Sequence, residues 1–254
     1  MLPTIVVTGY PVWLPQAEAL LSATFTLIIY AERTNYIARL ADDNAALMLV
    51  DHTLPDWKQW VTPVKISPAT RRIPIVLIAE GASTHSDSLL AGVDFELPVE
   101  SLAERLPWIV EHHARLPDPA QLRELECGCA EALPPLAVQG VAKFNAGEYY
   151  PQHDLFEAQW VQTAGPVRDL YRVILQVGVA YYQIERGNHR GALKMLLRSV
   201  QWLQLLPDVC QGVDVRQLRE DSYRVRAALE AIPPAEITHF DRSLLRPLRL
   251  VNAD

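Results

Sequence analysis

The chain has 254 residues, half of them hydrophobic, and its 30 acidic against 23 basic side chains give a formal charge of -7. That length and a mean hydropathy of +0.04 fit an ordered chain long enough for two compact domains. The acidic balance argues against a general polyanion-binding surface, so nucleic acid is not an expected partner. No uninterrupted apolar run reaches the length that spans a bilayer, so no membrane is expected either.

The opening MLPTIVVTGYPVWLP has no basic n-region and meets prolines at once, which argues against a secretory signal and for a cytoplasmic address. Short apolar runs then alternate with longer amphipathic ones. Strands are expected at residues 4–8, 26–30, 47–50, 73–78 and 95–97, with helices at 14–22, 33–41, 57–61, 84–91 and 101–112. This is the pattern of an α/β domain over residues 1–116, a flavodoxin-like doubly wound parallel sheet. In such a sheet the chemistry sits beyond the carboxyl ends of the strands. Asp51 closes the third strand in LMLVDHTLPDW and is expected to point into that crevice. Its other reading is local: an Asp after a strand caps the following turn, and Pro55 and Asp56 already look like helix-start residues.

The LMLVDHTLP run resembles the phosphoacceptor region of a response-regulator receiver domain, and the resemblance extends over roughly residues 3 to 114. The family adds an acidic pair after the first strand to hold magnesium, a Thr or Ser after the fourth, and a Lys before a Pro after the fifth. At the matching places this chain has Thr8 and Gly9, Ile78, and Leu97 before Pro98. Magnesium wants oxygen ligands, and one Asp with a backbone carbonyl is a thin site. Without the Lys, developing phosphoryl charge loses its partner. The resemblance therefore implies a degenerate receiver, with Asp51 a vestige of the phosphoacceptor. Glu80 is the one neighbour that could supply a second carboxylate; a response regulator phosphorylated at Asp51 is the alternative. His52, His85, His112 and His113 do not combine into a site, and the last two end a helix, where positive charge is favourable.

Residues 116–120 read LPDPA, and the domain boundary is placed near residues 115–121. Residues 119–132 can form a short helix with its proline in the first turn. Cys127, Cys129 and Cys210 make no disulfide framework or zinc knuckle. A CxC pair can bind metal or form a redox pair, but alone it is a weak signal; the three read as free thiols, the first two core-facing, which fits a reducing compartment. Helices follow at 135–144, 151–161, 167–186, 189–206 and 215–232, an all-α bundle over residues 121–232. Pro151 and Asp154 suit the first turn of theirs. Gly187 and Asn188 form a helical corner, and Asp214 with Gln217 starts the last helix. The run VILQVGVAYYQI is apolar nearly all round and should be central, with Gly178 admitting a neighbour. A tail over residues 233–254 carries Leu and Phe side chains that want cover, so it is expected to pack on a domain or on a partner.

Within FNAGEYYPQHDLFEAQW, His153, Glu157 and Trp160 share a helical face at i, i+4 and i+7. Residues 144 to 200 resemble the small helical domain-of-unknown-function family numbered 309. The matching positions are Asn145, Gly147, His153, Asp154, Glu157 and Trp160, then Arg168, Asp169, Gln176, Arg186, Gly187, Asn188, Gly191 and Ala192. No activity is established for that family, so the resemblance brings residues without a reaction. Two readings stay open: a buried network whose members satisfy one another, or a site in which His153 and Arg168 hold a small anionic ligand and Glu157 orients the imidazole. Zinc wants four ligands and this face offers two, with Asp154 and His189 the only further contributors, so neither metal nor cofactor is expected. No HExxH motif, nucleophile–His order or phosphate loop is present; GNHRGA lacks the spacing and the Lys-Ser/Thr ending. The expectation is a non-enzymatic regulatory or scaffolding protein of a bacterial cell, forming a homodimer or binding a partner protein. The alternative is an enzyme, or a metal- or small-ligand-binding protein, built on His153, Glu157 and Arg168.

Overall fold

The computed structural model describes residues 2–81 and 85–251. The chain divides into two compact units, Met1–Leu116 and Pro117–Asp254.

In the first unit the elements run β1 (Thr4–Thr8), α1 (Leu14–Leu21), β2 (Thr26–Tyr30), α2 (Tyr36–Asp42), β3 (Ala45–Asp51), α3 (Trp57–Ile66), β4 (Ile75–Ala79), α4 (His85–Ala91), β5 (Phe95–Pro98) and α5 (Leu102–His113). The sheet is parallel throughout, in the order β2-β1-β3-β4-β5. That is the flavodoxin-like order, whose switch point lies between β1 and β3. Central β3, AALMLVD, is buried at every residue because helices cover both of its faces. Its alternate residues serve different layers. Leu47 and Leu49 pack with Leu14, Leu21, Leu106 and Val110 of α1 and α5, whereas Met48 and Val50 pack with Leu40, Trp60 and Val64 of α2 and α3. The sequence places all ten elements; Thr84, expected to open the fourth helix, lies outside the described residues.

Helix α3 overruns its expected end at Val61 and carries Pro63 inside it. A proline cannot donate to the carbonyl four residues back, here Gln59. The Tyr36 hydroxyl donates to that carbonyl instead, at 2.9 Å. Burial pushes the Tyr36 phenol up to about 12, partly offset by Arg33.

The second unit contains α6 (Pro119–Cys129), α7 (Pro135–Asn145), α8 (Tyr149–Gln162), α9 (Arg168–Glu185), α10 (His189–Leu203), β6 (Val209–Cys210), β7 (Val213–Asp214) and α11 (Val215–Glu230). Helix α9 is its centre, contributing Leu170, Ile174, Val177 and Tyr181 to the core. Gly178 admits α8 closely: a Cβ there would stand 2.2 Å from Gln152 Nε2. Helix α8 begins two residues before Pro151, so Pro151 stays in the first turn while Asp154 falls beyond it. Asn188 caps α10 by accepting from Gly191 N at 3.0 Å, and Asp214 caps α11 by accepting from Gln217 N at 2.9 Å.

Two features depart from the sequence reading. Residues 209–214 form a hairpin whose central residues, Gln211 and Gly212, both take positive φ, as a tight two-residue turn requires. Gln211 is held there by donating from N to Cys129 O (2.7 Å), by donating from Nε2 to Gly128 O (3.1 Å) and by accepting from the Tyr171 hydroxyl (2.7 Å). The hairpin brings Cys210 against the end of α6, and Cys210 forms a disulfide with Cys129 across 81 residues of sequence. The expectation of three free thiols is therefore corrected, and so is that of a core-facing Cys127, which is exposed. With that bridge, the free-thiol argument for a reducing compartment falls. Among the described residues no helix is long and apolar enough to cross a membrane.

The tail folds into short 3-10 turns at Pro234–His239 and Arg242–Leu244 and then runs extended. Ile237, Phe240 and Leu248 join the core of this unit.

Candidate functional site

Two places carry the residues singled out from the sequence. The first is the end of β3. Asp51 is only 5% exposed, and both carboxylate oxygens are engaged. Oδ1 accepts from Thr53 N at 3.1 Å and Oδ2 accepts from the Thr53 hydroxyl at 2.6 Å, so the side chain closes an Asx-type turn. Thr8, standing where a receiver has an acid, accepts from Asp51 N at 3.1 Å. Gly9 turns the chain at φ +66. Ile78 pairs with Asp51 across the sheet and packs in the core, while Ala79 ends the strand, so neither offers a hydroxyl. Glu80 is exposed. Leu97 is fully buried where a receiver has its Lys.

Beside these strand ends lies a cavity of about 300 Å³ lined by Gly9, Ala31, Glu32, Arg33, Leu54, Asp56 and Trp60. Within it Arg33 pairs with Asp56 at 2.7 Å and donates to Gln59, while Glu32 is exposed. Asp51 is not part of its lining.

The second place is the α8–α9 face. His153 is about one-third exposed, and its Nδ1 stands 3.2 Å from Oδ1 of the more exposed Asp154. Glu157, one turn on, is exposed. Trp160 lies two turns from His153, roughly 10 Å along the axis at the usual helical rise. It is here that Arg168 arrives: its guanidinium carbon is 4.7 Å from the Trp160 ring centroid. Of the residues expected to group on this helix, Arg168 thus meets Trp160, toward the far end of α8.

Arg172, one turn further along α9, stands 5.3 Å from the Trp160 ring and 4.0 Å from that of Trp202, and pairs with Asp169 at 3.7 Å. Arg172 thus bridges the two indoles while Arg168 adds a second guanidinium over Trp160, contacts favoured by the ring quadrupole. Trp160 Nε1 and Arg168 Nε are buried with no hydrogen-bond partner among the described residues. Gln176 is 4% exposed with Oε1 likewise unpartnered. Asn188 belongs elsewhere, capping α10 and donating from Nδ2 to Gln183 Oε1 at 2.8 Å. His189 is buried with Nε2 2.7 Å from Leu229 O, which removes it as a partner for Asp154.

Arg172, Trp202 and Gln152 were not singled out in the sequence. The i, i+4 spacing of Arg168 and Arg172 was the available signal. Nothing local marks Gln152, which is fully buried, both its amide atoms without a hydrogen-bond partner among the described residues.

The strand order of the first unit defines a receiver-like fold. In the second unit, residues 137–195 match the family model of DUF309, a domain of unknown function. Among solved structures, the chain is similar to a protein of Chloroflexus aurantiacus described as a response regulator, with 16% identity, 44% of this chain and 100% of that one covered, and a TM-score of 0.38. It is also similar to the response regulator Rcp1 in its Mn(2+)-bound form, with 18% identity, 46% and 97% coverage and a TM-score of 0.37. A third is the response regulator in red light signaling of R. palustris, with 19% identity, 46% and 99% coverage and a TM-score of 0.38. No curated protein matches the chain.

Proposed function

We propose that this protein is a non-enzymatic regulatory or scaffolding protein, in which a receiver-like unit that does not take up phosphate is joined to a helical module that binds a protein partner. The observation that carries this reading is the engagement of both Asp51 oxygens by Thr53. Those two bonds hold the carboxylate in its own turn and draw electron density from both oxygens, which weakens it as a nucleophile, and the basic group that would receive developing charge is replaced by buried Leu97. The test is incubation with acetyl phosphate and magnesium, followed by intact-mass measurement. The expected result is an unmodified chain. An acyl phosphate that disappears in Asp51→Asn would overturn the reading.

A second reading is favoured by the unpartnered donors Trp160 Nε1 and Arg168 Nε: a small anion held on the Trp160–Arg168 face. Phosphate, sulfate and citrate should then raise the melting temperature of the protein and lose that effect in Arg168→Ala. No shift in the unsubstituted chain rejects it.

A further inference from the structure

The last part of the tail is held as a bound peptide would be. Asn145 grips the backbone of Leu248 from both sides: its Nδ2 donates to Leu248 O at 3.0 Å and its Oδ1 accepts from Leu248 N at 2.7 Å. Beyond that clamp, Asp214 N donates to Arg249 O at 2.9 Å and Val251 N donates to Gly212 O at 2.7 Å. Leu250 thereby pairs antiparallel with Val213, and the tail becomes a further strand on the β6–β7 hairpin.

All of these bonds read backbone, which makes them indifferent to side-chain identity, as in recognition by strand addition. Side-chain selectivity comes from two points. Leu248, 6% exposed, enters the core. Arg246 stands 4.0 Å from Asp221, a carboxylate 4% exposed that Arg224 also holds at 2.6 Å. Leu250 and Val251 are a little under half exposed. Along the run lies a cavity of about 370 Å³, walled by Asn145, Gln217 and Asp221 on one side and the tail from Arg246 to Arg249 on the other. Asn145 lies inside the segment that matches DUF309, whereas the tail lies outside it.

We infer that the helical unit carries a peptide-acceptor groove for an extended Arg-Pro-Leu-Arg-Leu segment, filled here by the chain's own residues 246–250 and open to the same segment of a second copy. This deepens the binding role proposed for the helical module and is independent of the phosphate chemistry at Asp51. In one chain the tail is tethered to its groove, so occupation in cis dominates at low concentration and exchange between copies grows with concentration.

The test uses a fluorescent peptide of residues 243–251 and the full chain carrying Leu248→Asp, which expels the tail's own anchor and leaves the groove intact. Anisotropy should report binding to Leu248→Asp and at least tenfold weaker binding to the unsubstituted chain. Adding Asn145→Ala to Leu248→Asp should weaken binding by roughly tenfold or more, since two backbone bonds are lost. Mixing Leu248→Asp with Asn145→Ala chains, one supplying the groove and the other the tail, should give a heterodimer by light scattering that neither forms alone. Equal binding to all variants, or none to a folded Leu248→Asp chain, overturns the inference. If Leu248→Asp does not fold, the peptide is offered to folded protein cut at a protease site inserted after Leu245; a nicked tail that excess peptide fails to displace overturns it equally.

Discussion

The end of β3 and the face between α8 and α9 treat polar atoms in opposite ways. At the strand end, where the fold would put chemistry, Asp51 is closed off by one neighbour, Thr53. Between the helices, where no reaction is assigned, both amide atoms of Gln152, Oε1 of Gln176, Nε1 of Trp160 and Nε of Arg168 stay unmatched among the described residues. An unmatched buried polar atom costs about 1 to 3 kcal/mol, a burden that the α8–α9 face carries and the end of β3 does not. The comparison teaches that a carboxylate at the mouth of a crevice can have both oxygens engaged by a single local turn. The groups still wanting partners then lie where the fold gives no hint of them.

The largest expected effect is on the bridge that ties α6 to the hairpin. Cys210→Ser should lower unfolding free energy by about 4 kcal/mol in denaturant, and a reductant should reproduce that loss in the unsubstituted chain. If neither does, the hairpin's hydrogen bonds suffice to hold it. Next, Gly178→Val should cost about 3 kcal/mol by overpacking against the Gln152 amide 2.2 Å from the new Cβ. Adding Gln152→Ala should recover part of that loss, and no recovery would place the crowding elsewhere.

A smaller effect, about 2 kcal/mol, is expected for Asp51→Ala, which strips Thr53 of both acceptors. Asp51→Asn keeps an amide oxygen for Thr53 N and should lose about half as much. Equal stability of all three chains would break the comparison, because the carboxylate would then have no stake in its turn. Smallest is Arg168→Ala, at about 1 kcal/mol for a partly exposed cation over an indole. Urea melts resolve the ranking.

How far the sequence could be read follows from the range of each interaction. The sheet elements announce themselves because continuous apolar runs and amphipathic helices are local patterns, as in AALMLVD. Helix α3 outlasts its expected end because a tyrosine from another helix takes the carbonyl that Pro63 strands. The hairpin at Gln211 and Gly212 escapes notice because Gln-Gly is not among the usual turn pairs, and the bonds that hold Gln211 come from α6 and α9. The cysteine pairing is invisible for the same reason. At the candidate sites, the turn role of Asp51 was one of two legible readings. His153, Glu157 and Trp160 do lie along one helix, but spacing within a helix cannot say where the next one delivers Arg168.

The bridge between Cys129 and Cys210 encloses the whole of residues 137–195 in a covalent ring. If the oxidised chain is drawn out by its two ends, tension passes through the sulfur atoms and never reaches the residues inside the ring. They cannot be stretched, and the fully extended length falls short of that of the reduced chain by roughly 280 Å, at about 3.5 Å for each of the 81 residues bypassed. A protease cut inside the ring would likewise leave one molecule, its two pieces still joined until a reductant separates them.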